Sequence, residues 1–164
     1  LARAMARSGD GDRAAKMLHM LNPIEHARNP EAVWRYGIEP YVVAADVSNV
    51  SGRVGHGGWS WYTGSAAWMY RTWVEEILGL KVLGHSLRLD PVIPGWWDGF
   101  QIIYRHGEAI YEIQVDNPEH CVRGVSRIEI DGQIVKDGLI PLDHGLGKHR
   151  ILVYMGKLQK ANSV

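Results

Sequence analysis

Hydrophobic positions in the first half of the chain follow helical spacing. In residues 1–21 apolar side chains recur every three to four positions, and a Ser-Gly-Asp-Gly-Asp stretch at 8–12 interrupts them. This pattern predicts two helices joined by a short turn. A second apolar stripe, at positions 66, 69, 70, 73, 74 and 77, predicts a longer helix with one buried face. Glu75 and Glu76 lie off this stripe, so the pattern predicts that both are solvated.

After residue 79 the period of the pattern changes to two. Short alternating runs predict strands at 86–90, 100–105, 109–115, 124–130, 133–135, 139–142 and 150–155. His-Gly at 106–107 and Asp-Gly at 131–132 separate apolar runs and predict tight hairpin turns. Many short strands with frequent turns favour an antiparallel sandwich. We therefore predict an α+β chain with a helical part at 1–81 and a β part at 82–164.

Composition limits the classes of partner. The chain has 164 residues, of which 46% are hydrophobic, enough for the core of an ordinary domain. Its 18 basic and 18 acidic residues balance, which argues against nucleic acid or an anionic membrane as a partner. No apolar run approaches the length of a membrane span. The single cysteine, Cys121, permits no disulfide framework and favours a reducing, cytoplasmic location. Because the chain begins at Leu1, we expect a segment of a longer polypeptide.

The stretch 57–71 carries the most distinctive chemistry. An aromatic-rich approach ends in Thr-Gly-Ser and enters the longer predicted helix that carries the stripe at 66–77, with Thr63 as a candidate N-cap. The first turn holds only small residues and no acidic side chain, so its backbone N–H groups suit an anion. Gly64 would let a phosphate approach the backbone closely. The alternative is an ordinary helix start whose small residues pack against a neighbour.

Aromatic and acidic residues suggest carbohydrate, although less specifically. Seven Trp and seven Tyr stand against one Phe, and amphipathic rings suit stacking on sugar faces, although burial accounts for most Trp in proteins. Glu39, before Pro-Tyr, is the carboxylate of most interest; its alternative role is a buried partner of Arg35 or Arg71. No His or Cys pair has metal-ligand spacing, and we expect no metal. No nucleophile elbow, phosphate loop or dinucleotide fingerprint is present.

Several motifs occur in the order found in a known family. They are Glu-Pro-Tyr-Val-Val-Ala-Ala-Asp at 39–46, Gly-Gly-Trp-Ser-Trp-Tyr-Thr-Gly-Ser-Ala at 57–66, Ile-Leu-Gly-Leu at 77–80, Leu-Asp-Pro-Val-Ile-Pro at 89–94, Trp-Asp-Gly-Phe at 97–100 and Ile-Pro-Leu-Asp-His-Gly at 140–145. With these motifs the chain resembles the C-terminal end of glycoside hydrolase family 94, the inverting phosphorylases of β-linked glucosides. Within the family it is most similar to the C-terminal part of members that synthesise cyclic β-1,2-glucan.

The resemblance implies a fold and a site. It implies that 1–81 are the last helices of an (α/α)6 barrel and that 82–164 form a jelly-roll-like β domain. The family's Thr-Gly pair binds inorganic phosphate, a co-substrate, which maps onto Thr63 and Gly64; no cofactor is implied. The candidate substrate-binding residues are Glu39, Tyr41, Trp59, Trp61 and Tyr62, with core packing as the alternative for the last three.

The departures from the family matter as well. The general acid and the phosphate-binding Arg and His of the family lie upstream, so this chain holds no catalytic residue and alone is expected to be inactive. Ala45 stands where some members carry Gln.

The implied activity of the intact enzyme is inverting phosphorolysis of β-1,2-glucan. Its expected partners are a β-glucan oligosaccharide, phosphate and the rest of the parent polypeptide, which the resemblance allows to be an inner-membrane protein with this segment on the cytoplasmic side. A partial barrel would expose apolar helix faces, so we expect a homo-oligomer or partner contact. The alternative is a non-catalytic carbohydrate-binding or structural β domain, which exposed, coplanar Trp96 and Trp97 would favour.

Overall fold

A computed structural model describes residues 1–61, 63–142 and 145–157, except for the side chain of Thr63. The described helices α1 to α5 are Ala2–Arg7, Gly11–Leu21, Pro23–His26, Pro30–Tyr36 and Thr63–Arg71. A π-helical segment, Thr72–Ile77, continues α5. The described strands β1 to β8 are Leu80–Leu83, Ser86–Leu89, Gly99–His106, Ala109–Asp116, Val125–Ile130, Gln133–Ile134, Leu139–Pro141 and Gly147–Met155. The chain is therefore α+β.

The predicted break between the first two helices is confirmed. α1 ends at Arg7 and α2 begins at Gly11, and the Asp10 side chain caps α2 by accepting a hydrogen bond from the backbone N–H of Arg13 at 3.1 Å. Gly11 is required by a close approach, because a Cβ there would lie 2.6 Å from the backbone oxygen of Ile93. Capping chemistry and this contact place α2 against the segment that leads into β3.

The helix that begins at Thr63 buries a different face from the predicted one. The backbone N–H of Leu78 donates to the carbonyl of Trp73 at 2.8 Å, five residues back, which is the bond that defines a π turn. The predicted stripe fails in part before this turn: Ile77 is buried, but Tyr70, in α5, is 69% exposed. Glu76, predicted to be solvated, is only 4% exposed and lies four residues after the buried Thr72, on the same helix face.

Two sheets make up the β part. One has the strand order β1-β2-β7 and the other β3-β4-β8-β5-β6. All their pairs are antiparallel except β4 with β8, which run parallel from Ala109 opposite Gly147 to Asp116 opposite Tyr154. The second sheet is therefore mixed rather than antiparallel as predicted, because the connection between these strands returns the chain to the end where β4 begins. β1 was not predicted by the alternation pattern.

Both predicted hairpin turns are present. β3 pairs with β4 up to His106 opposite Ala109, so a two-residue loop joins them, and Gly107 in this loop has φ +58°. Between β5 and β6, Asp131 and Gly132 have φ of +50° and +83°. Positive φ at both central residues is what a type I′ turn requires.

One buried hydrophobic cluster joins the helices to the strands. It includes Leu18 of α2, Ile77 of the π-helical segment, Leu87 of β2, Tyr111 of β4 and Ile151 of β8. The helical part thus packs directly on the β part. Among the described residues, no helix has both the length and the apolar character needed to cross a bilayer.

Candidate functional site

The two motif-bearing loops of the helical part run side by side. The backbone N–H of Ala45 donates to the carbonyl of Trp59 at 2.9 Å, and that of Gly58 donates to the carbonyl of Asp46 at 3.0 Å. Gly58 lies close to the Asp46 side chain: a Cβ there would lie 1.8 Å from a carboxylate oxygen, so a larger residue would displace that carboxylate. The segments 39–48 and 56–61 therefore form one unit, although each belongs to a different sequence motif.

A buried tyrosine holds the first of these segments. Tyr36, at the end of α4, is fully buried. Its hydroxyl donates to the carbonyl of Val42 at 2.8 Å and accepts from the N–H of Ala44 at 3.2 Å. Burial raises the pKa of Tyr36, partly offset by the hydrogen bond from Ala44, so the hydroxyl stays protonated and keeps both bonds. The Glu39 segment is thereby fixed to α4.

Three of the predicted sugar-binding residues meet at the tip of this unit. The indole N–H of Trp61 donates to the Glu39 carboxylate at 2.9 Å, and the Tyr41 ring meets the Trp61 ring edge-on, with centroids 6.3 Å apart. Tyr41 is 70% exposed and Trp61 64% exposed. The alternative role for Glu39 is wrong, because Arg35 pairs with Glu31 and Arg71 pairs with Glu75.

The backbone at Trp61 is unusual. Its φ is +59°, a conformation that costs a bulky residue about 1–3 kcal/mol and is concentrated at functional sites. The left-handed turn places the indole N–H on Glu39. The pKa of Glu39 is lowered, first by its own backbone N–H and then by Trp61 and Ser60, so the carboxylate is ionised at neutral pH. Exposed rings around an ionised carboxylate can stack on a sugar and accept hydrogen bonds from its hydroxyls.

The start of α5 follows directly in sequence. The helix begins at Thr63 itself, so Thr63 is the first helical residue rather than the predicted N-cap. Tyr62 and the Thr63 side chain lie outside the described residues. The first turn carries no acidic side chain, and Gly64 is exposed. Ser65 and Ala45 both line a groove of about 360 Å³ between α5, α1 and the 43–45 segment. The phosphate role of Thr63 and Gly64 stays a prediction.

An ion cluster around the buried Glu76 carboxylate lies between α1 and the π-helical segment that follows α5. The sequence pattern did not predict it. The Glu76 carboxylate accepts from Arg3 Nε at 2.8 Å and from Arg7 Nη2 at 2.9 Å, and Lys81 Nζ lies 3.5 Å away. Burial raises the pKa of Glu76, but the hydrogen bonds from Arg7 and Arg3 and the charge of Lys81 outweigh it and lower the pKa to about 2. The cluster ties α1, the π-helical segment and β1 together.

The remaining candidates contribute less. Trp97 stacks parallel to Trp73 with centroids 6.4 Å apart, whereas Trp96 is 58% exposed. Burial, with the nearby Glu119 carboxylate, raises the pKa of the Cys121 thiol, which makes it a poor nucleophile at neutral pH. Within the described residues, no group of three His, Cys, Asp or Glu could hold a metal ion.

The exposed Tyr41 and Trp61 rings beside the ionised Glu39 carboxylate suit a carbohydrate ligand, because such rings can stack on a sugar face. Comparison with known proteins agrees: residues 1–79 match the glycosyl hydrolase 94 superfamily, catalytic domain, and relatives from this family match across both parts of the chain. The chain belongs to this family.

Its relatives carry several related names. The chain is 41% identical over 134 residues to the cyclic beta-(1,2)-glucan synthase NdvB of Rhizobium meliloti (strain 1021), a match to 82% of this chain and 5% of that protein. It is 31% identical over 158 residues to the N,N'-diacetylchitobiose phosphorylase of Vibrio proteolyticus, covering 93% of this chain and 19% of the relative. A 3-O-beta-D-glucopyranosyl-beta-D-glucuronide phosphorylase of Paenibacillus borealis is 31% identical over 83 residues, 51% of this chain and 11% of the relative. The chain thus spans a fifth or less of the length of these relatives.

Proposed function

We propose that this chain is the C-terminal part of a β-glucan phosphorylase or glycosyltransferase, and that the intact enzyme carries out inverting phosphorolysis of β-1,2-glucan. Residues 1–81 would be the last helices of an (α/α)6 barrel, and residues 82–164 a jelly-roll-like β domain against it. The similarity to a glucan synthase and to phosphorylases supports this proposal. The general acid lies elsewhere in the parent polypeptide, so this chain alone is inactive.

One observation carries the proposal. Trp61, which donates a hydrogen bond to Glu39, lies just before the start of α5, and the first turn of that helix has no acidic side chain. Phosphorolysis needs a sugar and a phosphate held in line with each other. Glu39 would accept hydrogen bonds from the sugar, and Trp59, Trp61, Tyr41 and Tyr62 would line its path. Trp59 is 76% exposed, so its ring is accessible to a ligand.

The phosphate would lie at the start of α5. The nine-residue helix has Arg71 in its last turn and no carboxylate in its first, so its dipole is uncompensated at the N-terminus. Thr63 would donate its hydroxyl and Gly64 its backbone N–H to the phosphate. Phosphate is a co-substrate in this scheme, and no other cofactor is required.

The helical part also exposes large aromatic rings to be covered by a partner. Trp34 and Tyr70 are 83% and 69% exposed, and covering these rings would remove apolar surface from water. The rest of the parent polypeptide, or a second copy of it, would cover this surface.

Phosphorolysis by the parent polypeptide tests the proposal. Thr63→Ala should raise the KM for phosphate by about 10- to 100-fold, the loss of one hydrogen bond to a charged group. Glu39→Gln should raise the KM for β-1,2-glucan instead. Ser51→Ala, on the exposed loop, is the matched control and should change neither. An unchanged phosphate KM in Thr63→Ala would remove the assigned site.

A second candidate function is a non-catalytic carbohydrate-binding role for the β part. Trp96 is exposed and borders a groove of about 560 Å³ with Trp73, Trp97, Lys16 and His19. The packing of Trp97 on Trp73 leaves Trp96 as the more exposed ring of the predicted pair. Isothermal titration of β-1,2-glucan into the protein and into Trp96→Ala separates the two functions, because a binding role requires that heat of binding be lost in the variant.

A further inference from the structure

The ion cluster around Glu76 contacts α5 through the ring of Trp68. Arg3 donates to Glu76 at 2.8 Å, and its guanidinium carbon lies 5.0 Å from the centre of the Trp68 ring. Arg71 approaches the same ring at 5.6 Å and is itself held by two hydrogen bonds to Glu75, at 2.8 and 3.1 Å. Trp68 therefore contacts two guanidinium groups, each fixed by a carboxylate of the π-helical segment.

These contacts restrict the position of α5 relative to α1, which carries Arg3. A cation over an indole face is attracted by the ring electrostatically, so both contacts favour the observed position of Trp68. The Trp68 carbonyl also accepts from the Thr72 hydroxyl at 2.7 Å, at the junction with the π-helical segment. Trp68 is five residues after Thr63, about 7.5 Å along the helix axis. A shift at Trp68 is therefore transmitted to the first turn of the helix.

The groove beside α5 is lined both by Arg3 of the ion cluster and by the first turn of α5. Arg3, Trp68 and Ser65 all line it, together with Ala45. One wall thus contains the ion cluster's arginine and the first turn of α5. Arg3 is fixed by a carboxylate that is almost fully buried, with 3% of its side chain exposed, so this wall has a rigid support.

We propose that Glu76, acting through Arg3 and Trp68, is a positioning residue for the phosphate-binding start of α5. This inference rests on the proposed function, and it assigns a role to residues outside the Thr-Gly motif. Glu76 does not contact phosphate. It fixes the Arg3 guanidinium, and Arg3 fixes the position of α5 through the Trp68 ring. Glu76 affects phosphate binding and not sugar binding, because Glu39 is positioned by other contacts. Glu39 accepts a hydrogen bond from Trp61 and lies in the segment that Tyr36 fixes.

Steady-state phosphorolysis by the parent polypeptide tests this role, with phosphate and β-1,2-glucan varied separately. Trp68→Leu removes the ring that both guanidinium groups contact, and because the ring is 54% exposed the variant is expected to fold. The phosphate KM should rise about fivefold, with the glucan KM unchanged. Trp68→Phe keeps an aromatic face and should restore most of the loss.

Glu76→Gln should raise the phosphate KM by a similar factor, and the double variant with Trp68→Leu should add little, because both changes break one path. Glu112→Gln is the matched control, since Glu112 and Lys148 form a pair whose side chains are 49% and 69% exposed, and it should leave both KM values unchanged. A structural role alone would lower the melting temperature of Glu76→Gln without separating the two KM values.

The outcomes separate this inference from the proposed function. If Thr63→Ala raises the phosphate KM but Trp68→Leu does not, the positioning role is wrong and the phosphate site stands. If Trp68→Leu raises both KM values equally, the positioning role is also wrong. If Thr63→Ala leaves the phosphate KM unchanged, the site and its positioning residue fall together.

Discussion

Replacing the buried Glu76 carboxylate should change the response of the fold to acid. The side chain is 3% exposed and contacts three cations, so Glu76→Gln leaves Arg3, Arg7 and Lys81 without their common partner. A folded-state pKa of about 2, against 4.5 for an ordinary glutamate, corresponds to about 3 kcal/mol of stability at neutral pH. This agrees in size with the cost of removing one partner of a buried ion pair.

The pH window follows from the direction of the pKa change. Because the folded-state pKa is lowered, the stabilisation is fully present above pH 4.5 and is lost as the pH falls from about 4.5 towards 2. Below that range the carboxyl of the native protein is protonated and neutral, like the amide of Gln. The stability difference between the native protein and Glu76→Gln should therefore shrink from about 3 kcal/mol at pH 7 to near zero at about pH 2.

Urea unfolding followed by tryptophan fluorescence measures this difference at a series of pH values. Glu112→Gln is the control, because its pair with Lys148 is about half exposed and such pairs are worth about 0–1 kcal/mol. A gap between the native protein and Glu76→Gln that stays constant with pH would refute the assignment of the stabilisation to the ionised carboxylate. A gap below about 1 kcal/mol at pH 7 would show that the cluster is not a stabilising contact.

Three further substitutions test the elements around the site. Tyr36→Phe leaves the carbonyl of Val42 and the N–H of Ala44 without their buried partner and should cost about 1–3 kcal/mol in urea unfolding, with faster hydrogen exchange at Ala44. Gly79→Ala should cost at least about 2 kcal/mol in the same assay, because φ is +71° and a Cβ would lie 2.2 Å from the backbone of Asp90. Asp10→Ala should lower the melting midpoint by an amount equivalent to about 1 kcal/mol, and Asp10→Asn, which keeps an acceptor, should not.

The features that the sequence predicted well are those that local chemistry determines. The Ser-Gly-Asp-Gly-Asp stretch at 8–12, which interrupts the helical spacing, predicts the break between α1 and α2. Asp-Gly at 131–132 selects a type I′ turn because both residues tolerate positive φ. Neither feature depends on what the segment packs against.

Features set by distant partners were not predictable in the same way. The parallel pairing of β4 with β8 joins segments more than 30 residues apart, and alternation along each strand contains no information about the direction of its neighbour. The contact between Glu39 and Trp61 spans 22 residues. The sequence singles out Glu39 as a carboxylate before Pro-Tyr and the resemblance adds Trp61, but only the structure shows that they touch.

The misplaced Glu76 shows how an apolar stripe read from one helix can select the wrong face. Tyr70 lies on the predicted stripe and is exposed, whereas Thr72 and Glu76, off the stripe and four residues apart, are buried. The charges of α1 contain the missing signal. Arg3 and Arg7 are four residues apart and so share one helix face, and two guanidinium groups on a face that packs against other elements favour an acidic partner. Of the two acidic residues off the stripe, Glu76 lies on the buried face, and both arginines bind it. Charge pairing between helices therefore locates this carboxylate where periodicity within one helix does not.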